Sequence, residues 1–403
     1  MIENTVSTIC REQWSVSESE KCGAVIEALR KDSSVYVVPV TDEAGDPIGL
    51  IDKNAALIVA SNPLHYSVMQ NRSASNLMQD RYIRFDEGTS IDLVVNQLIN
   101  EGFSLSQGGF IVTRNGHYVG VGVNTDTLSY LVNINNLRAR ELAKLNEEMT
   151  DSVRYASRIQ GGLLPHKKLL HNKLSTIDVI WEPRDIVGGD IYWRSEENNK
   201  DFFTLGLIDC TGHGVPGAML SLLVSNSLER IYANNTEQDP ASALLDLDHY
   251  VRTGLNQDKV DSESDDGCDA AILRIDRDKQ TIEFAGAKLG LFQVTAPSQV
   301  IRHQGARCSL GYQDAIAEVD RPQLKTIQYE AGDTFAIVTD GITDQIGGAN
   351  GKTSYGYRRL EQMLSAQCTS SAHEITQEMS KDFAAWQGAN TGRDDVTVVV
   401  FRL

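Results

Sequence analysis

Four short motifs in this chain of 403 residues combine aspartate with glycine or with a second aspartate. They occupy residues 188–190, 209–214, 339–341 and 393–395. Carboxylates are the ligands that hard divalent cations prefer, and glycine lets the backbone approach a bound group closely. The motifs therefore predict one metal centre built from Asp190, Asp209, Asp340 and Asp394. Asp190 and Asp209, each taken alone, are more typical of a glycine-rich turn, and only the ordered set as a whole favours a metal centre.

The overall charge and the hydrophobic pattern exclude two classes of partner. A formal net charge of −18 argues against nucleic-acid binding, which normally requires a basic face. No apolar run reaches the roughly 18 residues that a membrane helix needs. The six cysteines are scattered without a metal-binding or disulfide-like spacing, which is typical of reduced thiols. We therefore expect a soluble, cytoplasmic protein that binds neither nucleic acid nor membrane.

Residues 20–130 contain the same order of elements twice. A short amphipathic helix precedes strands at 35–40 and 47–51, and a helix capped by Ser90 precedes strands at 109–112 and 118–123. This order resembles a tandem pair of CBS (cystathionine-β-synthase) domains, which implies an α/β regulatory domain over residues 1–134 and a small-molecule ligand, often an adenine nucleotide, between the copies. The family's ribose-contacting Thr/Ser and Asp are not kept at Asp52 and Asn54 or at residues 124–127. A nucleotide, another ligand and a purely dimerising role all remain open.

A connecting helix is predicted over residues 135–165. Two heptad positions form a seam with one polar residue, Ser152. The first position holds Leu142, Met149, Ala156 and Leu163, and the second holds Leu145, Ser152 and Ile159. This seam predicts either a coiled coil that makes a homodimer or a stripe packed on the catalytic domain of the same chain. The glycine pair at 161–162 predicts a hinge, because each glycine weakens a helix by about 1 kcal/mol relative to alanine.

After Pro165 the pattern changes to short strands with a few helices, which predicts an α+β domain over residues 166–403. Runs of strands interrupted by helices favour a β-sandwich flanked by helices rather than alternating βαβ units. The predicted strands are 177–181, 202–208, 270–275, 281–284, 291–295, 335–338 and 396–401, and the predicted helices are 217–232, 241–255 and 371–386.

Seven ordered motifs in this region carry a second resemblance. They are ASRIQGGLLP at 156–165, PRDIVGGDIYW at 183–193, DCTGHGVPGA at 209–218, AGAK at 285–288, SLGY at 309–312, TDGITDQ at 339–345 and GRDDVT at 392–397. Together they resemble the SpoIIE-like bacterial branch of the PPM (metal-dependent protein phosphatase) family. The resemblance implies an α-β-β-α sandwich, two Mn²⁺ or Mg²⁺ ions, and hydrolysis of phosphoserine or phosphothreonine by metal-activated water.

The resemblance also implies roles for individual residues. Asp209 would bridge both ions, Asp190 and the Cys210 carbonyl would complete the shell of one, and Asp340 and Asp394 would hold the other. Wider relatives place an aspartate where Ala287 stands, which argues against a third ion.

Other residues near the motifs have two interpretations each. His213 is either a proton donor or part of a turn, and Asp395 either orients a coordinated water or caps the last strand. The role of Asp344 is equally open. Three basic residues are either phosphate contacts or solvated: Arg184, Lys288 and Lys352. The acidic run 257–266 is either a surface loop or a lid that screens substrates.

The sequence therefore predicts a protein serine/threonine phosphatase controlled by its N-terminal domain. By family analogy its substrate would be a small phosphorylated regulator, such as a STAS-type anti-sigma-factor antagonist. Two alternatives stay open. The protein could be a phosphatase-fold scaffold that senses a ligand and binds a partner, or an enzyme that hydrolyses a small phosphate ester.

Overall fold

The computed structural model describes residues 5–79, 81–105, 108–166, 170, 174, 176–195, 202–259, 261–295 and 298–403. The chain divides into two units, Met1–Glu147 and Glu148–Leu403. The division lies inside the helix that was predicted to connect the two domains. Within the part of the chain that the structure describes, no helix is both long and apolar enough to cross a lipid bilayer.

The first unit contains four short helices and seven strands among its described residues. The helices are α1 (Cys22–Lys31), α2 (Lys53–Ser61), α3 (Pro63–Met69) and α4 (Ile91–Asn100). The strands are β1 (Cys10–Arg11), β2 (Val16–Ser17), β3 (Val37–Thr41), β4 (Pro47–Asp52), β5 (Arg84–Asp86), β6 (Gly109–Arg114) and β7 (His117–Val123). They form two sheets, ordered β1-β7-β6-β5 and β2-β3-β4.

The repeated order of elements predicted for this unit is present in its fold. Helix α1 precedes the antiparallel pair β3 and β4, and helix α4 precedes the antiparallel pair β6 and β7. The hydroxyl of Ser90 accepts a hydrogen bond from the Leu93 backbone N–H and so caps α4. Val37, Leu50, Ile111 and Val121 form a small core that joins the two copies.

One long helix, α5, spans Asn124–Leu163 and contains 40 residues. It begins earlier than residue 135 and passes without a break through the glycine pair at 161–162, where a hinge was predicted. At 1.5 Å per residue it is about 60 Å long. Five apolar side chains of the predicted heptad seam are each at least half exposed: Leu142, Leu145, Met149, Ile159 and Leu163.

The second unit contains two five-stranded antiparallel sheets. Its strands are β8 (Ile177–Glu182), β9 (Ile191–Arg194), β10 (Phe202–Cys210), β11 (Cys268–Asp276), β12 (Thr281–Ala287), β13 (Leu291–Thr295), β14 (Gln299–His303), β15 (Lys325–Gln328), β16 (Thr334–Val338), β17 (Ile346–Gly347), β18 (Thr353–Ser354) and β19 (Val396–Arg402). One sheet is ordered β15-β12-β11-β10-β9 and the other β14-β13-β16-β19-β8. Strands β17 and β18 form a separate hairpin.

Helices cover the outer faces of both sheets. They are α6 (Gly214–Asn234), α7 (Pro240–Gly254), α8 (Asp340–Thr343), α9 (Gly356–Ala366) and α10 (Ala372–Gln387). The central core combines side chains from both sheets, including the stacked rings of Phe335 and Phe401. A second core joins the first sheet to α6 and α7, and a third joins the other sheet to α9 and α10. These layers are the α-β-β-α sandwich that the sequence predicted.

The sheet topology carries the predicted acidic residues to one end of the sandwich. Asp209 is the penultimate residue of β10, and Asp190 directly precedes β9, which pairs with β10. Asp340 follows β16, and Asp394 lies just before β19, which pairs with β16. Because paired antiparallel strands bring the end of one to the start of the other, these carboxylates collect at a shared edge.

Candidate active site

Asp190 is the most deeply buried of the predicted ligands, with 2% of its surface exposed. Its Oδ2 accepts a hydrogen bond of 2.8 Å from the Thr339 hydroxyl, and its backbone carbonyl accepts one of 2.9 Å from the Trp181 indole. Burial raises the pKa of Asp190 well above its usual value, and the charges of Asp395 and Asp394 raise it further. The site therefore holds a buried carboxylate whose charged form the surroundings disfavour.

Asp395 fixes the loop that carries Asp190. Its Oδ1 accepts a hydrogen bond of 2.7 Å from the Arg184 N–H, and its Oδ2 accepts one of 2.5 Å from the Gly189 N–H. A β-carbon at Gly188 would lie 2.7 Å from the Asp395 carboxylate, so only glycine permits this approach. Asp395 thus acts on the loop backbone, an arrangement that neither of the roles considered for it from the sequence described.

Asp209 lies directly across the β10–β11 ladder from Asp269. Burial raises the pKa of Asp209 well above its usual value. Four neighbouring carboxylates raise it further: Asp190, Asp340, Asp269 and Asp394. The charges of all three other predicted acidic ligands therefore act on Asp209.

Asp340 begins helix α8 at the solvent-accessible side of the group. Desolvation by the surrounding protein raises the pKa of Asp340 to about 6, and the charges of Asp394, Asp344 and Asp269 also raise it. The positive charge of Lys288 lowers the pKa of Asp340. Asp394 is partly buried, and its Oδ1 accepts a hydrogen bond from the Asp395 N–H.

The turn after Asp209 approaches the Asp190 loop closely. A β-carbon at Gly189 would lie 2.7 Å from the Cys210 carbonyl oxygen and 2.8 Å from that of Gly212. Carboxylates and backbone carbonyls are the oxygen donors that Mg²⁺ and Mn²⁺ prefer. In the described part of the chain, no three His, Cys, Asp or Glu side chains form a group that could hold an ion as they stand. The donor types and the mutual repulsion of the buried carboxylates nevertheless fit divalent cations.

A side chain of helix α5 contacts the same loop. Gln160 is 3% exposed, and its Nε2 donates to the Gly188 carbonyl at 2.6 Å and to the Ser221 hydroxyl at 3.0 Å. Its Oε1 accepts a hydrogen bond of 3.3 Å from the Gly188 N–H. One amide therefore satisfies both backbone groups of a residue two positions before Asp190.

The remaining predicted residues occupy different surroundings. His213 is exposed, and its Nδ1 lies 2.7 Å from an Asp185 carboxylate oxygen. The Arg184 guanidinium donates to the Arg393 carbonyl, and Lys352 lies exposed in the turn before β18. Lys288 lies 3.3 Å from Asp269. Gln257 at the start of the acidic run bonds to the Asp266 carbonyl and backbone N–H and so closes the run into a loop.

Two residues of the site were not predicted from the sequence. Asp269 was overlooked because the strand was predicted to begin at residue 270, whereas β11 begins at Cys268. An acidic residue directly before the apolar run at 270–273 was the available signal. Gln160 lies in the ASRIQGGLLP motif at 156–165, but that motif does not show that the Gln160 amide contacts the loop before Asp190.

Comparison with known proteins agrees with this geometry. The family model described as Stage II sporulation protein E (SpoIIE) matches residues 200–403, just over half of the chain. This chain belongs to the SpoIIE family. It is accordingly a serine/threonine protein phosphatase of the PPM type, as the resemblance implied, and phosphatases of this family depend on Mg²⁺ or Mn²⁺.

Solved structures of other phosphatases resemble this phosphatase to different degrees. The SiaA-PP2C domain of Pseudomonas aeruginosa has 31% sequence identity and a TM-score of 0.58, and the match covers 65% of this chain and 99% of that domain. A SpoIIE phosphatase domain with a fragment of its regulatory domain, from Bacillus subtilis, has 19% identity and a TM-score of 0.45 over 56% of this chain and 62% of that one.

The phosphatase MsPP of Mycobacterium smegmatis has 13% identity and a TM-score of 0.39, covering 57% of this chain and 99% of that one. The last two similarities are too low to support an argument. No curated protein matches the chain. The family match does not include the first 199 residues, so the CBS-like interpretation of the N-terminal unit stays a prediction.

The N-terminal unit contains a cavity of about 280 Å³ where its two copies meet. Residues of both copies line it: Ser33, Val35, Tyr36, Asp52, Lys53, Asn54, Gly108, Val123 and Thr125. These include Asp52, Asn54 and Thr125, the polar residues near the positions where the CBS resemblance implies a ligand. The identity of any ligand remains open.

The role of Asp395 can be tested with Asp395→Asn. The substitution replaces one carboxylate oxygen of Asp395 by an NH₂ group. This group cannot accept a hydrogen bond from the backbone N–H that it faces, so the loop carrying Asp190 loses a hydrogen bond. We expect Mn²⁺ affinity, measured by isothermal titration calorimetry, to fall by about 10- to 100-fold, the range for residues that orient metal ligands. Asp178→Asn is the matched control, because that carboxylate accepts hydrogen bonds from Thr376 and His373 instead. Equal Mn²⁺ affinity in both variants would contradict the assignment.

Proposed function

We propose that this phosphatase removes phosphate from serine or threonine of a small regulatory protein, using two Mn²⁺ or Mg²⁺ ions. Asp190, the Cys210 carbonyl, Asp340 and Asp394 would hold the ions, and Asp209 would be a ligand of both. The observation that carries this proposal is the position of Asp209, on which the charges of all the other predicted acidic ligands act. The substrate class, for example a STAS-type anti-sigma-factor antagonist, follows from the family resemblance alone.

The bound ions supply a nucleophilic water at neutral pH and neutralise charge on the phosphoryl oxygens. The chain's own residues hold the carboxylates in place. The Thr339 hydroxyl orients the Asp190 carboxylate, and Asp395 fixes the backbone on both sides of Gly188. The cross-strand pair of Asp209 and Asp269 is fixed by the β10–β11 register. No nucleophilic serine or cysteine of the protein is needed for this chemistry.

Regulation through helix α5 is the second part of the proposal. Gln160 binds both backbone groups of Gly188, and the next two residues lead to Asp190. Displacement of the helix therefore removes hydrogen bonds from the loop that carries a metal ligand. A signal from the N-terminal unit has a covalent route to this loop, because α5 begins at Asn124 and runs without interruption to Leu163.

A homodimer through α5 is the third part. The five apolar side chains of the seam, from Leu142 to Leu163, are each at least half exposed among the described residues. A second copy of the same helix could cover this stripe, because the apolar side chains of the two heptad positions interlock across a two-stranded coiled coil. Ser152 interrupts the seam at one position.

Phosphatase activity is tested with a phosphoserine peptide and with p-nitrophenyl phosphate in the presence of Mn²⁺. We expect Asp209→Asn and Asp394→Asn to abolish turnover, because each removes a negative ligand of the ions. Asp276→Asn is the control, since that residue lies at the opposite end of β11 from Asp269. Turnover that persists in both ligand variants would exclude the metal assignment, and preference for a small phosphate ester over every phosphoprotein tested would exclude the substrate class.

The control exerted by α5 is tested with Gln160→Ala. Loss of the amide leaves the buried N–H and C=O of Gly188 without partners, which destabilises the loop by on the order of 1–3 kcal/mol per group. Turnover is expected to fall, and hydrogen–deuterium exchange of residues 186–191 to become faster. Arg158→Ala, an exposed change on the same helix, should alter neither measurement. Unchanged exchange in the Gln160 variant would refute the link.

Dimerisation is tested by multi-angle light scattering of the full chain and of residues 1–164. We expect dimers, and we expect Leu145→Glu combined with Met149→Glu to yield monomers, because like charges would face each other across the seam. Ile58→Glu introduces the same charge at an exposed apolar position outside α5 and should leave the dimer intact. A monomeric wild-type protein in both forms would remove the proposal.

A further inference from the structure

Lys288 has an unusual backbone conformation beside the acidic group. It follows strand β12 in the turn to β13, and its φ of +56° lies in the left-handed region that favours glycine. The turn is held by a hydrogen bond of 2.8 Å from the Lys288 N–H to the Ala306 carbonyl. Strained residues of this kind are concentrated at functional sites, so the presence of lysine rather than glycine needs a reason.

The Lys288 side chain reaches toward the carboxylates of the site. Its Nζ lies 3.3 Å from Asp269 Oδ2, and Asp269 is the cross-strand partner of Asp209. Directly opposed residues of an antiparallel pair have β-carbons about 4.5–5.5 Å apart, so the lysine adjoins the centre of the acidic group. The charge of Lys288 also lowers the pKa of Asp340, which agrees with a position of the lysine beside the acidic group.

Asp269 is held in place on its other side. Its Oδ1 accepts a hydrogen bond of 2.6 Å from the Ser309 hydroxyl, so one carboxylate joins a serine and a lysine. Lys288 and Ser309 both line a cavity of about 760 Å³, which Arg307 and Tyr312 also line. The Tyr312 hydroxyl lies 2.7 Å from that of Thr211, in the turn that follows Asp209. The cavity therefore adjoins the acidic group at the point where Lys288 is found.

We propose that Lys288 binds the phosphoryl group of the substrate and that Asp269 is the positioning residue that holds its ammonium ready for this contact. This inference rests on the proposed phosphatase function and names a residue that recognises the substrate. A lysine ammonium is a common point-charge ligand of phosphate. The Lys288 side chain is 52% exposed, and an ion pair at such a site contributes little energy. The ammonium can therefore leave Asp269 for a dianionic phosphate at small cost.

A purely structural ion pair is the competing explanation, and the chain offers one for comparison. Lys279 Nζ lies 2.8 Å from Asp276 Oδ2 at the opposite end of β11. That lysine is also exposed and also pairs with an aspartate of the same strand, but it lies away from the acidic group. Lys279→Met is therefore a matched control for the loss of a lysine–aspartate pair.

The decisive variant is Lys288→Gly, because glycine adopts the left-handed conformation without strain and should fold at least as well as lysine. The probe is inorganic phosphate, the product, used as a competitive inhibitor of the Mn²⁺-loaded full chain. We expect its inhibition constant, and the KM for a phosphoserine peptide, to rise about tenfold through loss of one charge-assisted contact. Thermal unfolding should occur at an equal or higher temperature than in the wild type. Lys288→Arg, which keeps the charge, should retain most of the phosphate affinity.

The role of Asp269 is tested by a double-variant comparison. Asp269→Asn should weaken phosphate inhibition less than Lys288→Gly does, and the double variant should be no weaker than Lys288→Gly alone, because Asp269 acts through the lysine. An unchanged inhibition constant in Lys288→Gly, or an equal rise in Lys279→Met, would overturn the inference. Turnover of Asp209→Asn is measured in parallel. If this variant is inactive, the proposed phosphatase function stands even when the inference about Lys288 fails. If it is active, the proposed phosphatase function itself is wrong.

Discussion

Repulsion between carboxylates is the constraint on which the catalytic unit depends. Six aspartates lie at one end of the sandwich, and their charges raise the pKa values of Asp190 and Asp209. Burial alone already disfavours the charged form of these two residues. Such a group opposes folding unless hydrogen bonds and cations compensate for it. The hydroxyl of Thr339 and the ammonium of Lys288 each offset part of this cost. Binding of divalent cations and stability of the folded unit are therefore coupled, as expected whenever a ligand binds the folded state alone.

The sandwich supports this arrangement because its two sheets supply opposite sides of the group. Strands β9 and β10 of one sheet lead to Asp190 and Asp209, whereas β16 and β19 of the other lead to Asp340 and Asp394. The sheets share a core whose largest members are fully buried, including Phe284, Phe335 and Phe401. Close packing of that core fixes the distance between the strand ends. Placement of the acids thus follows from the fold more than from local turn structure.

Much of this organisation could be predicted from the sequence, and the omissions share a cause. Asp190, Asp209, Asp340 and Asp394 were found because glycine or a second acid adjoins each of them near a strand end. Asp269 has no such local mark, since its importance comes from the register that pairs it with Asp209. Gln160 and the backbone contacts of Asp395 depend on packing between elements that are distant in sequence. The early start of α5 was missed because the asparagines at 133, 135 and 136 have low helix propensity, which a long helix can tolerate.

The contact between Gln160 and Gly188 gives the long helix a particular relation to the loop. The side-chain amide of Gln160 bonds to both the N–H and the C=O of Gly188, as the backbone of a neighbouring β-strand would. Rotation of the helix by one residue, about 100°, would carry the amide away from both groups at once. Intermediate rotations keep neither hydrogen bond with good geometry, so they have no stabilised arrangement of their own. Helix and loop are therefore expected to change together between two discrete states, and a graded movement of the helix would not produce a graded change at Asp190.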